Sequence, residues 1–576
     1  MRKKKKYLIT SFSKLNFKSI KNFVFVDEYL FRLYRKEDLK NFNCAFANSI
    51  NSIENFEHNK NYLLKKVTDY RRQLADHLNA FHGVNYSIKY WGVILDPLLF
   101  SLIDSFITEI KLIKNVKKKF ANIWTHNFLF AQVFFDIREV QKFISFSQDY
   151  QKLTRTVIAK EIGIKIVEKK NKELKKKYIS GNRSVFNLIP NLLSFFLRSY
   201  VFLFKPTLIL QGYFGRKNSI KIFFKSFGRI FFLPTNKFFY KKKYFFKINE
   251  KQRNKIQVLE KDLLDRIFNL LINKLLPVTF LEGFDFIKKQ DLFFAKRISK
   301  IGSAVGIIAN DQFKFLAAEI LENKGKLLTF QHGGLIEEPK FLPQKIVEEK
   351  YSTKRYLWTD EKGLGQHFLT RYKKILYPSI KNNKQILIFS TVISYKKYTE
   401  HNLIKNNHPF LDQNYDFFKY LNKENKNRVL IKLFPHKTSE NVKKIWKKKF
   451  RNNINFAEIH SSPKVYFYNS RLAVINDIST SLYELMYIGV PFILISDNNF
   501  NELETKFVKK LKKLEKLKIF YTSPIKAAKF VNNNYDTIDD WWKIVSKEKN
   551  FINFKNTLFT EKKDYINSIT KELINI

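Results

Sequence analysis

Four polar clusters in this chain each follow directly on an apolar run with the character of a β-strand. They are Asn310-Asp311, Gln331-His332-Gly333-Gly334, Pro435-His436-Lys437-Thr438-Ser439 and Asn476-Asp477-Ile478-Ser479-Thr480-Ser481. Open parallel sheets bind ligands outside the carboxyl ends of their strands, so such clusters on two facing sheets would line one cleft. His332 is the candidate base: an imidazole titrates near neutrality and can take the proton of an attacking hydroxyl. The plain alternative is a histidine hydrogen-bonded at a turn. Gly333 and Gly334 would let the backbone approach a substrate with no Cβ in the way.

The last cluster carries the most chemistry. From Val474 to Glu484 the chain passes from an apolar strand through hydroxyls into a helical pattern, and Ser481-x-x-Glu484 has the spacing of a capping box. A helix start presents unpaired N–H groups and partial positive charge, a seat for phosphate or carboxylate. Ser479, Thr480 and Ser481 are the donor-binding candidates. Glu484 either completes the cap or reaches a ribose, and an ordinary capped helix is the alternative for the whole segment. Lys432, inside the apolar run 430–434, and His436 just beyond it would offer preorganised positive charge to a departing phosphate. Asp311 reads as a helix cap rather than an acid or base.

Positioning these clusters takes alternating strands and helices. Residues 60–120 have helical apolar spacing. From about 207 the pattern becomes βαβ, with strand expectations at Val305–Ala309 and Leu327–Phe330 around a helix over 311–323. A second series follows at Gln385–Phe389, Val429–Phe434, Leu472–Ile475 and Phe492–Ile495. The expected organisation is an N-terminal α/β domain over 1–375 with helical insertions, a second α/β domain over 384–535, and C-terminal helices over 536–576 packing back toward the first domain. The basic start, Met1 to Thr10, reads as a lead into a first strand rather than a secretory signal.

The chain has 576 residues and a formal charge of +54, with abundant Lys, Phe, Asn, Ile and Tyr, residues that share A/T-rich codons; coding bias would explain much of the lysine excess, and a solvated lysine coat is the plain alternative to an anionic partner. Its basic clusters are dispersed and accompany no nucleic-acid-binding motif, so an anionic membrane surface is the expected anionic partner rather than nucleic acid. One cysteine, Cys44, excludes an intrachain disulfide and fits a reducing, cytoplasmic setting. Arg198, Lys205 and Pro206 interrupt the greasy stretch 192–210, which argues against a membrane span there. Ser194–Tyr200 is either an interfacial segment or a buried helix ahead of a strand at Thr207–Leu210. No His-Glu-x-x-His, paired-Cys motif, P-loop or Gly-x-Gly-x-x-Gly occurs, and no metal or cofactor is expected.

A family resemblance joins these pieces. Segments 78–87 and 90–97, the Gln331–Gly334 turn, Arg355-Tyr356-Leu357-Trp358, the 479–484 helix start, 521–528 and Asp539-Asp540-Trp541-Trp542 resemble, in order, the surface-polysaccharide transferases of spirochaete O-antigen gene clusters. The resemblance implies a GT-B-like α/β fold: two Rossmann-type domains with parallel sheets facing a central cleft. It also implies transfer of a sugar, or a related activated group, during surface-polysaccharide assembly. The expectation built on it is a nucleotide-sugar donor and a lipid-linked or growing glycan acceptor, with charge and that acceptor pointing to a peripheral place on the inner face of the cytoplasmic membrane. By analogy with capsule and teichoic-acid polymerases, His332 would be the base and Ser479–Ser481 would contact the donor. Where an arginine-rich strand end is expected, the chain has Lys432 and His436, which keeps charge but loses the bidentate fork. A glycerophospho- or polyol-phosphate transferase with a CDP-linked donor, and a non-catalytic basic scaffold on membrane or nucleic acid, are the alternatives.

Overall fold

The computed structural model describes residues 6–9, 22–25, 43–46, 56–128, 130, 132–167, 178–180, 199–233, 245–375, 384–390, 407–435, 439–450, 454–476, 478–496, 500 and 503–576. Three parallel sheets organise them. The first has β1 (Lys6–Ile9), β2 (Asn22–Phe25), β3 (Asn43–Phe46), β4 (Ile123–His126) and β5 (Lys165–Val167) in the order 3-2-1-4-5. A short antiparallel ribbon pairs β6 (Tyr178–Ser180) with β9 (Phe245–Lys247). The second sheet has β7 (Thr207–Leu210), β8 (Ile230–Leu233), β10 (Lys300–Ser303), β11 (Lys326–Phe330) and β12 (Lys354–Tyr356), in the order 12-11-10-7-8. The third has β13 (Gln385–Ser390), β14 (Val429–Leu433), β15 (Asn455–Phe456), β16 (Ser470–Ile475), β17 (Phe492–Ile495) and β18 (Phe520–Tyr521), in the order 15-14-13-16-17-18.

These orders place the ligand sites. In a doubly wound sheet the crevice opens where the strand order reverses. In the third sheet that point lies between β13 and β16, in the second between β7 and β10. Runs such as Ile386-Leu387-Ile388 and Ala473-Val474-Ile475 are buried on both faces, as parallel strands covered by helices must be.

The helices that matter are α1 (Phe56–His82), α2 (Ile88–Lys119), α3 (Arg216–Lys225), α4 (Asp311–Glu322), α5 (Pro343–Tyr351), α6 (Thr480–Ile488), α7 (Ile538–Val545), α8 (Lys549–Leu558) and α9 (Tyr565–Asn575). Ser87 caps α2 by accepting from the Tyr90 N–H. One continuous core joins α2 to Leu8 and Phe23 of the first sheet and to Leu208, Ile301 and Leu327 of the second. Trp542 and Phe551, on α7 and α8, pack with Leu387, Ala473 and Phe492 of the third sheet. Beyond them, Tyr565, Ile569 and Leu573 on α9 pack with Ile209, Leu328 and Phe330 of the second sheet. Among the described residues no helix is long and apolar enough to cross a membrane.

Two expectations need correction. The N-terminal region holds a five-stranded parallel sheet as well as helices; strands of three or four residues are too short to show an alternating pattern. The strand expected at Val305–Ala309 runs instead over Lys300–Ser303, and Gly306–Ala309 is helical. Ser303 Oγ accepts from the N–H of Val305 and Gly306 and turns the chain out of the sheet. The expected junction at 375–384 and most of Ser194–Tyr200 lie outside the described residues.

Candidate functional site

The carboxyl end of β11 is held before it reaches His332. Gln331 accepts from the Trp358 N–H through Oε1 at 2.8 Å and donates Nε2 to the Gly333 carbonyl at 2.9 Å. Trp358 Nε1 returns a bond to the Gln331 carbonyl at 3.0 Å. His332 then projects toward the switch point of the second sheet. Its ring bonds to the carbonyl of Ala304, just past β10, and stacks 6.2 Å from Tyr213, just past β7. Gln344 Nε2 on α5 lies 3.4 Å from Nδ1 and donates to Glu348 Oε1 at 2.7 Å. Burial pushes the His332 pKa down to about 4, so the imidazole is neutral at physiological pH and a weaker base than a solvated histidine. Burial pushes Glu348 up to about 7, opposed by its bond from Gln344 and by the charge of Arg355.

The second strand-end site is a cavity of about 250 Å³ at the switch point of the third sheet. Phe389 lies next to the end of β13, Phe434 and Pro435 follow β14, Ile475 ends β16 and Asn476 follows it; Ser479, Thr480, Ser481 and Glu484 complete the wall with Pro463. The hydroxyl cluster and Glu484 are thus brought together. The capping box is not formed: Ser479 is the cap residue, without a side-chain bond, which puts Leu482 at the third helical position and Glu484 two residues too deep. Glu484 instead accepts from the Tyr372 hydroxyl. Burial pushes its pKa up to about 7 against that bond and the positive charge of Arg371.

The cations expected beside this pocket are distributed differently. Lys432 is buried in β14 and donates Nζ to the carbonyls of Leu433 at 2.9 Å and Ile459 at 2.7 Å, so its ammonium serves the sheet rather than the cavity wall. His436 lies outside the described residues. Arg371 occupies the position that the sequence left unnoticed. Its guanidinium stacks 3.9 Å over Phe368 and lies 5.7 Å from the Tyr213 ring and 5.8 Å from that of Tyr372. It therefore stands between the His332 side and the Glu484 side. In sequence it is one cation in Arg371-Tyr372-Lys373-Lys374, with nothing to mark it.

The two sites touch. The Gly334 N–H donates to Thr480 Oγ1 at 3.1 Å, the Leu335 N–H donates to the Tyr483 hydroxyl at 3.1 Å, and that hydroxyl donates to Glu338 at 2.7 Å. A Cβ on Gly334 would fall 2.3 Å from the Tyr483 ring, and one on Gly333 would fall 3.1 Å from Thr480 Oγ1. The glycines thus permit close approach of the two halves of the molecule. Asp311 belongs to the scaffold: its carboxylate takes bonds from the Ile137 N–H and Thr279 Oγ1 and pairs with Lys314 at 2.8 Å, while Asn310 caps α4. Among the described residues no cluster of metal-ligating side chains occurs.

Comparison with known proteins places the chain among enzymes. The LIC12162 family transferase model matches residues 6–573. The chain belongs to that family of transferases. No curated protein matches it. Among solved structures, the wall teichoic acid polymerase TagF, in a variant soaked with CDPG, aligns with 68% of this chain and 96% of its own at 10% identity and TM-score 0.32. A UDP-forming α,α-trehalose-phosphate synthase from Burkholderia vietnamiensis aligns with 57% of this chain and 80% of its own at 7% identity and TM-score 0.28.

Most segments that carried the family resemblance serve this transferase as braces. Asn79 Oδ1 accepts from the Tyr86 N–H and from Trp91 Nε1, which fixes the turn between α1 and α2. Asp96 is buried against Arg71 at 2.7 Å and accepts from the Tyr351 hydroxyl at 2.6 Å, which ties α2 to α5, the helix carrying Gln344. Arg355 pairs with Glu337 at 2.7 Å. Asp539 pairs with Arg471 at 2.8 Å, and Trp542 Nε1 donates to the Gly489 carbonyl at the end of α6.

Proposed function

We propose that this transferase moves a sugar from a nucleotide-sugar donor to a surface-polysaccharide acceptor, lipid-linked or growing, without a metal ion. One observation supports the reading above the others: the hydroxyl-lined cavity at the third sheet's switch point meets, through Gly334 and Thr480, the turn that carries His332 to the second sheet's switch point. In this reading residues 1–375 form the acceptor side, 384–535 the donor side, and 536–576 tie the two together at the cytoplasmic face of the membrane. The acceptor hydroxyl attacks the donor's anomeric carbon as His332 takes its proton. The nucleotide phosphate departs onto the free N–H groups of α6 and the hydroxyls of Ser479, Thr480 and Ser481. Arg371 supplies positive charge in place of Lys432, beside the charge expected of His436.

The test is a thermal-shift screen against CMP, CDP, UDP, GDP and dTDP in EDTA, followed by product analysis. A nucleotide at about 100-fold its dissociation constant stabilises the fold by ~2.7 kcal/mol. A selective shift that disappears when Ser479, Thr480 and Ser481 become Ala supports the donor site; no shift with any nucleotide removes it. A phosphodiester product in place of a glycosidic one would replace sugar transfer by polyol-phosphate transfer from a CDP-linked donor.

A further inference from the structure

Between Glu173 and Glu250 the chain has no Asp or Glu, while Lys and Arg recur throughout. Within that stretch, residues 199–233 also concentrate exposed apolar side chains: Phe202, Leu203, Phe204, Ile220, Phe224 and Phe227, with Leu203, Phe224 and Phe227 exposed at 70%, 69% and 88%. They share one neighbourhood. The Tyr200 ring lies 5.0 Å from Phe204 and 6.3 Å from Phe223, the neighbour of Phe224, and its hydroxyl bonds to the carbonyl of Gly228, beside Phe227. Exposed Lys205, Lys217, Lys221, Lys225 and Arg229 are interspersed with them along the chain.

We propose that this face, α3 with the 202–205 and 226–229 turns, docks on a bilayer containing anionic lipid, the aromatic side chains entering the headgroup boundary and the cations pairing with phosphate. Soluble surfaces seldom present a contiguous apolar patch of this kind. A set of cations with no carboxylate in the local sequence gives it the charge complement of an anionic leaflet. Its place in the fold adds a reason. α3 begins just after Gly215, which packs on Arg371, and Tyr213 stacks beside His332. Ten residues of helix span about 15 Å, so docking through α3 holds the cleft close to the membrane surface, within reach of a lipid-linked acceptor. The docking surface itself stands whether or not the donor assignment does.

The test is co-sedimentation of the full-length protein with phosphatidylcholine vesicles, with and without phosphatidylglycerol. Binding is expected only with phosphatidylglycerol. Leu203→Ser/Phe224→Ser/Phe227→Ser and, separately, Lys217→Gln/Lys221→Gln/Lys225→Gln should each weaken it by at least about tenfold, with thermal unfolding unchanged because all six side chains are exposed. Lys506→Gln/Lys509→Gln/Lys512→Gln, on another helix, should leave binding intact. Phe227→Trp should gain fluorescence that brominated lipid quenches. Equal losses from the two lysine triples would overturn the proposal in favour of a diffuse basic coat. Vesicle binding indifferent to the apolar triple and displaced by RNA would overturn it in favour of a nucleic-acid surface.

Discussion

The two strand ends that meet at Gly334 and Thr480 are built for different work. On the second sheet, His332 sits among Tyr213, Ala304 and Gln344, in surroundings dry enough to push its pKa down to about 4. On the third sheet, hydroxyls and one carboxyl line an open cavity. Desolvation holds the first neutral and makes its protonation costlier than in water, whereas the second gathers hydroxyls around a helix start. In the proposed reading this contrast separates proton handling from donor binding, although both sites follow from the same doubly wound topology. The Gly334–Thr480 and Leu335–Tyr483 contacts join the two sites, and Arg371 lies between them.

The contrast breaks most sharply at His332. His332→Ala should lower turnover by roughly 10²–10⁴-fold while the thermal shift given by the bound nucleotide stays the same. Loss of both together would mean that the two sites are one. Replacing Ser479, Thr480 and Ser481 by Ala should do the reverse: donor affinity falls, at about 1.5–3 kcal/mol for each lost hydrogen bond to a charged phosphate, and turnover at saturating donor falls less. A kinetic series over donor concentration reads this difference. Gly334→Ala acts at the seam. Overpacking against Tyr483 should cost about 1–3 kcal/mol in thermal unfolding, and an unchanged melting temperature would show that the halves separate freely.

The smallest effect is a pair of opposed pH slopes. Glu484, pushed up to about 7 from 4.5, keeps its proton in the folded chain after an unfolded glutamate has lost it. Its contribution to stability is full below pH 4.5 and is lost as pH rises to about 7. His332 has the other sign. The unfolded imidazole charges below about 6.5 and the folded one only near 4, so its contribution is full above 6.5 and is lost on acidification. Relative to the parent, Glu484→Gln should therefore gain stability from pH 5 to pH 8, and His332→Gln should gain it as pH falls. Parallel slopes in melting temperature would show that the two environments are not distinct.

Much of the fold is legible in the chain because parallel strands buried on both faces are near-continuous apolar runs. Gln385–Phe389, Val429–Phe434, Leu472–Ile475 and Phe492–Ile495 each fall on a strand of the third sheet. The short strands of the first sheet carry no such pattern, and Val305–Ala309 is apolar because it packs as a helical turn beside Phe313, not because it is a strand. At the site, the hydroxyl cluster is visible from its position after β16, and His332 from its position after β11. Lys432 misled because its place in an apolar strand marks burial, which the Leu433 and Ile459 carbonyls satisfy. Glu484 misled because a capping box is a spacing, and the helix begins two residues before the spacing assumes.

By itself the sequence determined the α/β alternation, the polar clusters at strand ends and the family, since periodicity and local motifs are written in consecutive residues. Which clusters share a cleft was decided by the tertiary structure. Strand order sets the two switch points, and only the packing of one sheet's turn against another's helix makes Gly334 a contact for Thr480 and Tyr483. Arg371 gains its place between the sites from Phe368, Tyr213 and Tyr372, two of them its near neighbours in the chain and one far away. Such placement depends on contacts between segments distant in sequence, and no local pattern of charge or hydrophobicity encodes them.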